Sequence, residues 1–347
     1  MSFRNKHRLS IIATYCVGWT LAFIFLSIVR GIGATENGAY DFDFTTSLLY
    51  SVIMGPIFGA ISGYAQIYIY ERIYKRASAR ELIFIRMLLS IIFIIILILI
   101  SYLILPLLFE VRIGLWEFIT DEGSFPIYFY VFCVDIFMGA LSQINLMLGG
   151  NNLWKILRGK FYIPHEENRI FMFLDLQSST EYAERLGHIE YSMLIRDCFN
   201  DLGVVIENEA EIYQYVGDEA ILTWQLRDGL RNQNCINAFF NFKNQLLKKK
   251  EYYKEKYNVV PFFKAGLNDG IVVATEVGKY KKEIAYHGDT INTAARIQGK
   301  CNEFQQELLL SESLKNKLNP AGITFERLGN ITLRGKRSDV NIYTAFK

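Results

Sequence analysis

The sequence has few cysteines and almost no net charge, and each shortage excludes a class of protein. Its five cysteines are odd in number, scattered and free of CxxC pairs. We therefore expect neither a disulfide framework nor a zinc site, and a reducing cytosol around the soluble part. The net charge is only +2, and no basic block with interleaved aromatic residues occurs. Nucleic acid is therefore not an expected partner.

Long apolar runs, in contrast, fill the amino-terminal part of the chain. Four of them are long enough to cross about 30 Å of hydrocarbon, which takes about 20 helical residues. They cover residues 9–29, 45–70, 82–109 and 126–148. We expect residues 1–148 to form a domain of four transmembrane helices in a lipid bilayer. The first run is too long and too aromatic for a signal-peptide core, and no small-residue cleavage site is evident.

Basic residues are unevenly distributed among the segments that flank these runs. They concentrate before the first run, between the second and third, and after the fourth. The other two loops carry one arginine each, Arg30 and Arg112, and are otherwise acidic. The positive-inside rule therefore predicts a multi-pass protein of the inner or plasma membrane with both termini in the cytoplasm.

Several residues inside the apolar runs indicate helix contacts. Gly55, Gly59 and Gly63 would line one helix face, which allows close packing within one bundle or between two protomers. Asp135, near the middle of the fourth run, indicates a functional or pairing role, or a protonated carboxyl bonded to a neighbouring helix. Arg86 lies near the first turn of the third run, and we expect it to snorkel to the interface.

The rest of the chain reads as a connector, residues 149–168, and a soluble α+β domain, residues 169–347. Strands are predicted at residues 169–175, 211–216, 219–224, 262–267 and 271–275, with a terminal strand region at 331–346. Helices are predicted from about residue 178 onward and at 230–256 and 288–300. Asn268, Asp269 and Gly270 are predicted as a turn. The order β-α-β-β-α-β predicts a ferredoxin-like core with additions.

Two aspartates stand at the ends of apolar strands. Asp175 ends the first strand, and Asp218 lies in the tight turn of the central hairpin. These strands are neighbours in such a sheet, so the carboxylates would form a hard-oxygen site suited to Mg²⁺ or Mn²⁺. Two cations would suit triphosphate chemistry, one on the β- and γ-phosphates and one lowering the pKa of a ribose hydroxyl. A lone aspartate at a strand end is more often a turn-former, but the pair and its surroundings favour the site.

Polar residues near both aspartates complete a candidate nucleotide site. A helix capped by Ser or Thr is predicted to start here. Its first backbone N–H groups would bind phosphate, and they belong to Gln177, Ser178, Ser179 and Thr180. Asn292 and Arg296 are four residues apart and share one helix face, where they could hold a ribose and a phosphate. Ala294, Ala295 and Ile297 indicate a closely packed helix, and a buried arginine there would need an anion.

These motifs together resemble the catalytic domain of class III adenylate/guanylate cyclases, of the membrane-anchored bacterial type, over about residues 169–347. The resemblance implies conversion of a nucleoside triphosphate to a 3′,5′-cyclic monophosphate at a homodimer interface. It assigns two Mg²⁺ or Mn²⁺ ions per site to Asp175, Leu176 and Asp218. Asn292 and Arg296 would come from the other protomer. In the late loop of the family, Arg334 stands where a lysine is usual. Lys336 follows it and would contact phosphate.

The base-reading positions depart from the family pattern. Adenylate cyclases usually place Lys, and Asp or Thr, where this chain has Gln214 and Ala285, and guanylate cyclases usually place Glu and Cys there. Gln can donate and accept, so it could serve several bases. Lys282, with its neighbours Lys279 and Lys281, could supply a substitute cation or belong to a solvated surface. ATP is the expected substrate, because membrane cyclases of this type most often make cyclic AMP.

Two alternatives stay open. One is a cyclase for GTP or a pyrimidine triphosphate. The other is a membrane receptor whose cyclase-like domain only binds nucleotide, against which the complete metal pair and the complete Asn/Arg pair argue. A diguanylate cyclase is rejected, because Val216 and Ala220 break both ends of that signature around Gly217-Asp218-Glu219.

Overall fold

The chain divides into two compact units, Met1–Met147 and Leu148–Lys347. The computed structural model describes residues 3–31, 43–73, 79–109, 114–149, 155–156, 158–331 and 339–347. Each unit has its own hydrophobic core, one built from helices and one around a mixed sheet. The predicted domain limits at residues 148 and 169 stay predictions, but the first strand begins at His165, inside the expected connector.

Within its described residues, the first unit contains four helices that are long and apolar enough to cross a membrane. With a short helix in the segment between the third and fourth of them, the helices are α1 (Phe3–Gly31), α2 (Phe44–Tyr68), α3 (Ala79–Phe109), α4 (Leu115–Thr120) and α5 (Ser124–Leu148). A π-helical turn, Ile69–Ile73, extends α2. All four predicted apolar runs therefore lie in long helices, whereas α4 was not predicted.

The glycine face of α2 packs against α1 of the same chain. A Cβ atom added at Gly59 would lie 2.3 Å from Cys16 Cα, and one at Gly55 would lie 2.5 Å from Thr20 Cα. Both distances are too short for real carbon atoms, so only glycine permits this backbone approach. Of the two readings, packing within one bundle is the one that the structure shows.

Arg86 and Asp135 form a buried polar cluster, and the prediction that Arg86 snorkels to the interface is wrong. The Arg86 Nη2 atom lies 3.0 Å from Asp135 Oδ1, and it also donates to the Asp135 carbonyl oxygen. Ser62 and Ser90 donate to the two carboxylate oxygens. Because Asp135 is 4% exposed, the guanidinium satisfies a charge that would otherwise be costly in an apolar bundle.

The second unit is organised around one mixed sheet. Its strands are β1 (His165–Leu176), β2 (Glu211–Val216), β3 (Glu219–Gln225), β4 (Phe263–Val277), β5 (Glu283–His287), β6 (Leu308–Ser311), β7 (Thr324–Ile331) and β8 (Val340–Phe346). Their order is β2-β3-β1-β4-β6-β8-β7, and β5 also pairs with β4. Among the first four strands each neighbouring pair is antiparallel, in the order of a ferredoxin-like core, which confirms the predicted fold class.

Helices pack on both faces of this sheet. The α-helices of the unit are α6 (Ser179–Leu202), α7 (Leu226–Leu230), α8 (Asn234–Lys248), α9 (Lys250–Tyr257), α10 (Asp289–Gln298) and α11 (Glu312–Lys317). Alternate β1 residues, such as Met172 and Leu174, pack with α6 and α8 in the main core. Phe171 and Phe173 point to the other face, where they form a smaller cluster with Ala294 of α10.

The predicted turn at residues 268–270 is wrong, because β4 runs through it without interruption. Asn268, Asp269 and Gly270 each pair with a residue of β1, and both polar side chains are buried. The Asn268 amide donates to the Thr290 carbonyl oxygen, which satisfies the side chain inside the fold. A partner strand and a buried hydrogen bond therefore outweigh the local turn preference of this tripeptide.

The helix expected at residues 230–256 is divided. Arg231–Gln233 forms a 3₁₀ turn before α8, and Lys249 has φ −103° and ψ 15° between α8 and α9. The hydrogen bond from Tyr253 to the Asp201 carboxylate draws α9 towards α6. The predicted amphipathic segment is thus helical along most of its length, but the prediction of one continuous helix was wrong.

Candidate active site

The strand pattern brings Asp175 to the face of the sheet that α6 and α8 leave open. Side chains alternate along a strand, so Asp175 shares a face with Phe171 and Phe173. It lies next to the last residue of β1 and directly across from Glu219 at the start of β3. It is half-buried, so its carboxyl is neither freely solvated nor sealed in the core.

Asp218 lies beside it in the β2–β3 turn. Gly217 precedes it with φ +62°, the left-handed conformation that glycine adopts without strain. Val216 and Glu219 close the two-residue hairpin as cross-strand partners. Because β3 pairs with β1, this turn sits at the end of β1 that carries Asp175. The structure therefore brings together the two aspartates that the sequence singled out.

Burial and neighbouring negative charges raise the pKa values of Asp175 and Glu219. Burial and the charge of Asp218 raise the pKa of Asp175, although hydrogen bonds from Gln298 and the Leu176 backbone oppose the shift. Burial and the charges of both aspartates raise the pKa of Glu219 to about 7. Sequence reasoning overlooked Glu219 as a site residue; the strand register, which places it across from Asp175, was the signal that would have found it.

The donor set fits a divalent cation that also binds phosphate. Among the described residues, none of these three carboxyl groups is paired with a lysine or arginine. A cation would therefore relieve repulsion that the chain itself leaves uncompensated. That part of the chain also holds no group of three or more His, Cys, Asp or Glu side chains at ligating distances. Such a sparse set is typical of Mg²⁺ sites, in which substrate phosphates and water complete the shell.

The predicted phosphate segment lies where β1 passes into α6. The Gln177 N–H donates to the Phe262 carbonyl oxygen at 2.8 Å, so this group is not available to phosphate. Ser178 has φ +59° and makes no side-chain cap bond, which corrects its expected capping role. Ser179 and Thr180 begin the helix. Tyr191, which was not predicted, hydrogen-bonds Ser179 and Asp218, and burial raises its pKa to about 12.

Asn292 and Arg296 lie on α10 and face outward within one chain. Asn292 is exposed, and the Arg296 side chain is 38% exposed with its Nη1 atom 3.9 Å from Asp289 Oδ1. The helix is packed as predicted, with Ala294 and Ile297 fully buried. The prediction that Arg296 is buried is wrong, because it occupies the other side of the helix. Both side chains are thus accessible to a ligand or to a second protomer.

The remaining predicted residues are the base-reading candidates and the late-loop pair. Gln214 is exposed on β2, and Ala285 is half-buried on β5. Lys282 is exposed and forms an ion pair with Glu276, which matches the solvated-surface reading. Arg334 and Lys336 lie outside the described residues.

A cavity of about 510 Å³ elsewhere on the unit, between Val204 and Lys248, contains none of the predicted site residues.

A second charged cluster lies at the opposite end of β1. Glu167 accepts hydrogen bonds from Lys160, Arg169 and Gln225, and lies 3.0 Å from a His165 ring nitrogen. The Arg169 side chain is 1% exposed and also pairs with Glu211. Burial alone would raise the pKa of Glu167, but the bonds from Lys160, Arg169 and His165 outweigh it and lower that pKa to about 2. This cluster ties the segment before β1 to the sheet.

Comparison with known proteins identifies the second unit. The family model described as "Adenylate and Guanylate cyclase catalytic domain" matches residues 161–345, more than half of the chain. A curated relative, Adenylate cyclase 2 of Rhizobium meliloti (strain 1021), is 32% identical over 196 residues. That match covers 56% of this chain and 54% of the relative, so the chain spans about half of that protein's length.

Solved structures show the same fold. One structure of a bacterial light-regulated adenylyl cyclase aligns with a TM-score of 0.55 and 17% identity, covering 65% of this chain and 67% of the other. Another, of a protein with the same description, aligns with a TM-score of 0.53 and 18% identity, covering 61% and 62%. At such identities the likeness concerns the fold alone.

Proposed function

The chain belongs to the adenylate and guanylate cyclase catalytic family, and from that premise we propose that it is a membrane-anchored adenylate cyclase. Its second unit would convert ATP to 3′,5′-cyclic AMP and pyrophosphate. Two copies of the chain would share each active site. The observation that carries this proposal is the meeting of Asp175 and Asp218 at one end of β1, with no basic partner among the described residues.

The reaction needs an activated hydroxyl and a stabilised leaving group. The ribose 3′-oxygen forms a bond to the α-phosphorus, the bond from that phosphorus to the bridging oxygen breaks, and pyrophosphate leaves with the electron pair. The hydroxyl proton passes to solvent. Asp175, Asp218 and the Leu176 carbonyl would hold Mg²⁺ or Mn²⁺ here, two ions per site. Bound there, such ions supply the charge that lowers the pKa of the hydroxyl and neutralises the phosphates.

The chain's own residues would orient the substrate. The N–H groups of Ser179 and Thr180 open α6, a helix of 24 residues, and suit a phosphate oxygen. Asn292 would hold the ribose, and the Arg296 guanidinium would neutralise charge that grows on the bridging oxygen. Lys336 and Arg334 are proposed phosphate contacts on the family resemblance alone.

A shared site accounts for the outward position of Asn292 and Arg296. Both lie on the accessible side of α10 rather than beside the metal-site carboxylates of their own chain. A head-to-tail homodimer would bring this side of one protomer to Asp175 and Asp218 of the other. Two equivalent sites would then form, each with residues from both chains.

The choice of ATP rests on the curated relative, which is named an adenylate cyclase. Gln214 lies on β2 and Ala285 on β5, and the two strands approach each other where the Tyr213 and Tyr286 rings are 5.1 Å apart. The exposed Gln214 amide can donate and accept hydrogen bonds, which suits the edge of adenine. GTP and the pyrimidine triphosphates are the alternatives that an assay must include.

The first unit would anchor the enzyme in the inner or plasma membrane. Four apolar helices of sufficient length support a multi-pass anchor. The basic residues that flank them support a cytoplasmic position for both termini and for the second unit. This position gives the catalytic unit access to cytosolic ATP.

The test is turnover by the full chain in detergent, with Mn²⁺ and each of the four ribonucleoside triphosphates in turn. We expect cyclic AMP and pyrophosphate from ATP, and loss of activity by about 100- to 1,000-fold in Asp175→Ala and Asp218→Ala variants, since removing one dominant electrostatic group costs that much. Unchanged melting temperatures would show that both variants fold. No cyclic nucleotide from any triphosphate would overturn the proposal.

A second experiment tests the shared site. An Asp218→Ala chain and an Arg296→Ala chain, each inactive alone, are co-expressed with different affinity tags. One of the two sites in the mixed dimer would have every group intact, so we expect part of the activity to return. Absence of any rescue would contradict a site built from two chains.

A further inference from the structure

The last residue of α10, Gln298, lies against the strand beside the metal-site aspartate. Its backbone packs on Gly266 of β4 so closely that a Cβ at Gly266 would lie 2.2 Å from Gln298 N and 2.5 Å from Gln298 Cα. Only glycine allows this approach. The carboxyl end of α10 is therefore held against the sheet at one defined point.

That point is close to Asp175. Gly266 pairs with Phe173, two residues before the aspartate, and Lys264 pairs with Asp175 itself. From this position the Gln298 side chain is within reach of the Asp175 carboxyl group, and hydrogen bonding from it lowers the pKa of that group. The Cys301 thiol, just beyond the helix, donates a hydrogen bond to the Ala265 carbonyl oxygen and fixes the following turn on the same strand.

We propose that Gln298 is a positioning residue of the metal site: its amide holds the Asp175 carboxylate in the orientation that presents the remaining lone pairs to divalent cations. This inference rests on the proposed function, because it deepens the role of the same site. Gln298 would not itself touch substrate.

The physical reason is the freedom of a carboxylate at a strand end. A half-buried aspartate can rotate about its side-chain bonds, and each cation must then stop that rotation when it binds. A hydrogen bond from a fixed amide removes the rotation in advance. Protein groups that orient metal-ligating side chains in this way typically contribute about 10- to 100-fold in metal affinity.

Helix geometry gives α10 a role in both shared sites. Successive residues turn by about 100°, so Arg296 and Gln298 lie about 200° apart around the helix axis. Arg296 faces outward, towards the site completed by the partner, whereas Gln298 faces the aspartate of its own chain. In the mixed dimer described above, Gln298 and Arg296 of one chain therefore serve different sites.

The first test measures Mn²⁺ binding to the full chain by electron paramagnetic resonance, with Mn²⁺ as the only added ligand. Gln298→Met keeps the size of the side chain and removes the amide, and we expect affinity to fall about 10- to 100-fold. Mn²⁺ should also raise the melting temperature less than in the wild type, while the metal-free melting temperature stays the same. Gln233→Met is the matched control, because Gln233 donates to the carbonyl oxygens of Asn319 and Ala321 instead. Equal Mn²⁺ affinity in Gln298→Met and the wild type would overturn the inference.

The second test places Gln298→Met in either chain of the mixed dimer. In the Arg296→Ala chain it lies beside the working Asp175, and we expect the Mn²⁺ concentration for half-maximal turnover to rise about 10- to 100-fold. In the Asp218→Ala chain it lies beside the inactive site, and we expect no change. An equal effect from both placements would overturn the positioning role. Absence of turnover in the parent mixed dimer would instead count against the shared site, and the Mn²⁺ titration would still decide the role of Gln298.

Discussion

Asp175 on β1 lies directly across from Glu219 on β3, so two acidic side chains share one face of the sheet beside Asp218. Directly opposed side chains of antiparallel strands have Cβ atoms about 5 Å apart. Like charges at this separation destabilise the sheet unless a cation lies between them. Repulsion within this acidic cluster therefore destabilises the protein when no metal is bound.

The first prediction concerns Glu219→Gln. Removing this charge should stabilise the metal-free protein by about 0.2–1 kcal/mol, because like charges across a strand pair are destabilising by about that amount. The same change should weaken the stabilisation that Mn²⁺ provides, since one negative charge near the cations is lost. Thermal unfolding with and without Mn²⁺ measures both effects. The control is Glu166→Gln, an exposed residue of β1, and equal behaviour of the two variants would contradict the role of Glu219.

A second prediction concerns Arg86 and Asp135 in the first unit. Arg86→Met should destabilise the helix bundle by about 3–5 kcal/mol, because it leaves a buried carboxylate without its counter-ion. Combining it with Asp135→Asn should restore much of the loss, since the neutral amide still bonds Ser62 or Ser90. Unfolding in detergent measures the difference, with the exposed Arg72→Met as control. If the double variant were no more stable than Arg86→Met alone, the ion pair would not explain the cost.

The third prediction concerns the glycine face of α2. Gly59→Ala should cost about 1–3 kcal/mol, as overpacking in a well-packed core does, because the new methyl group meets the Cys16 backbone. Gly114→Ala is the control, since a Cβ there has no atom within 4 Å. Unfolding in detergent gives both values. A Gly59→Ala variant of normal stability that fails to dimerise would instead indicate a seam between two chains.

The fourth prediction concerns acid stability. The folded pKa of Glu167, about 2, lies below its ordinary value of 4.5. Its contribution is therefore fully present above about pH 4.5 and is lost as the pH falls towards 2, by at most about 3 kcal/mol. Glu167→Gln should be less stable than the wild type at pH 7, and the gap should narrow between pH 5 and pH 3. A gap that stays constant over this range would contradict the shifted pKa.

Much of the architecture could be predicted from the sequence because it depends on local patterns. Apolar runs of sufficient length gave the four long helices, and alternation with a Gly-Asp turn gave the β2–β3 hairpin. The neighbouring positions of Asp175 and Asp218 follow from the ferredoxin-like strand order. The site roles of these residues, including Asn292 and Arg296, stay predictions.

The errors occur where tertiary contacts override local preference. The tripeptide 268–270 has turn residues, but pairing with β1 keeps it extended. Arg86 could have reached the interface, but the pairing with Asp135 depends on a helix nearly 50 residues away. Glu219 and Gln298 were overlooked because their relation to Asp175 arises from strand register and from the packing of α10 on Gly266. No local sequence pattern encodes these long-range contacts.

The most direct test of the account is to locate the cations. Crystals of the full chain grown with Mn²⁺ and 3′-deoxy-ATP, which lacks the attacking hydroxyl, allow manganese to be found by its anomalous scattering. We predict manganese peaks between the carboxylates of Asp175 and Asp218, with Asn292 and Arg296 of a second chain across the nucleotide. Nucleotide bound without manganese at these two aspartates, or carboxylates that point apart, would contradict the account.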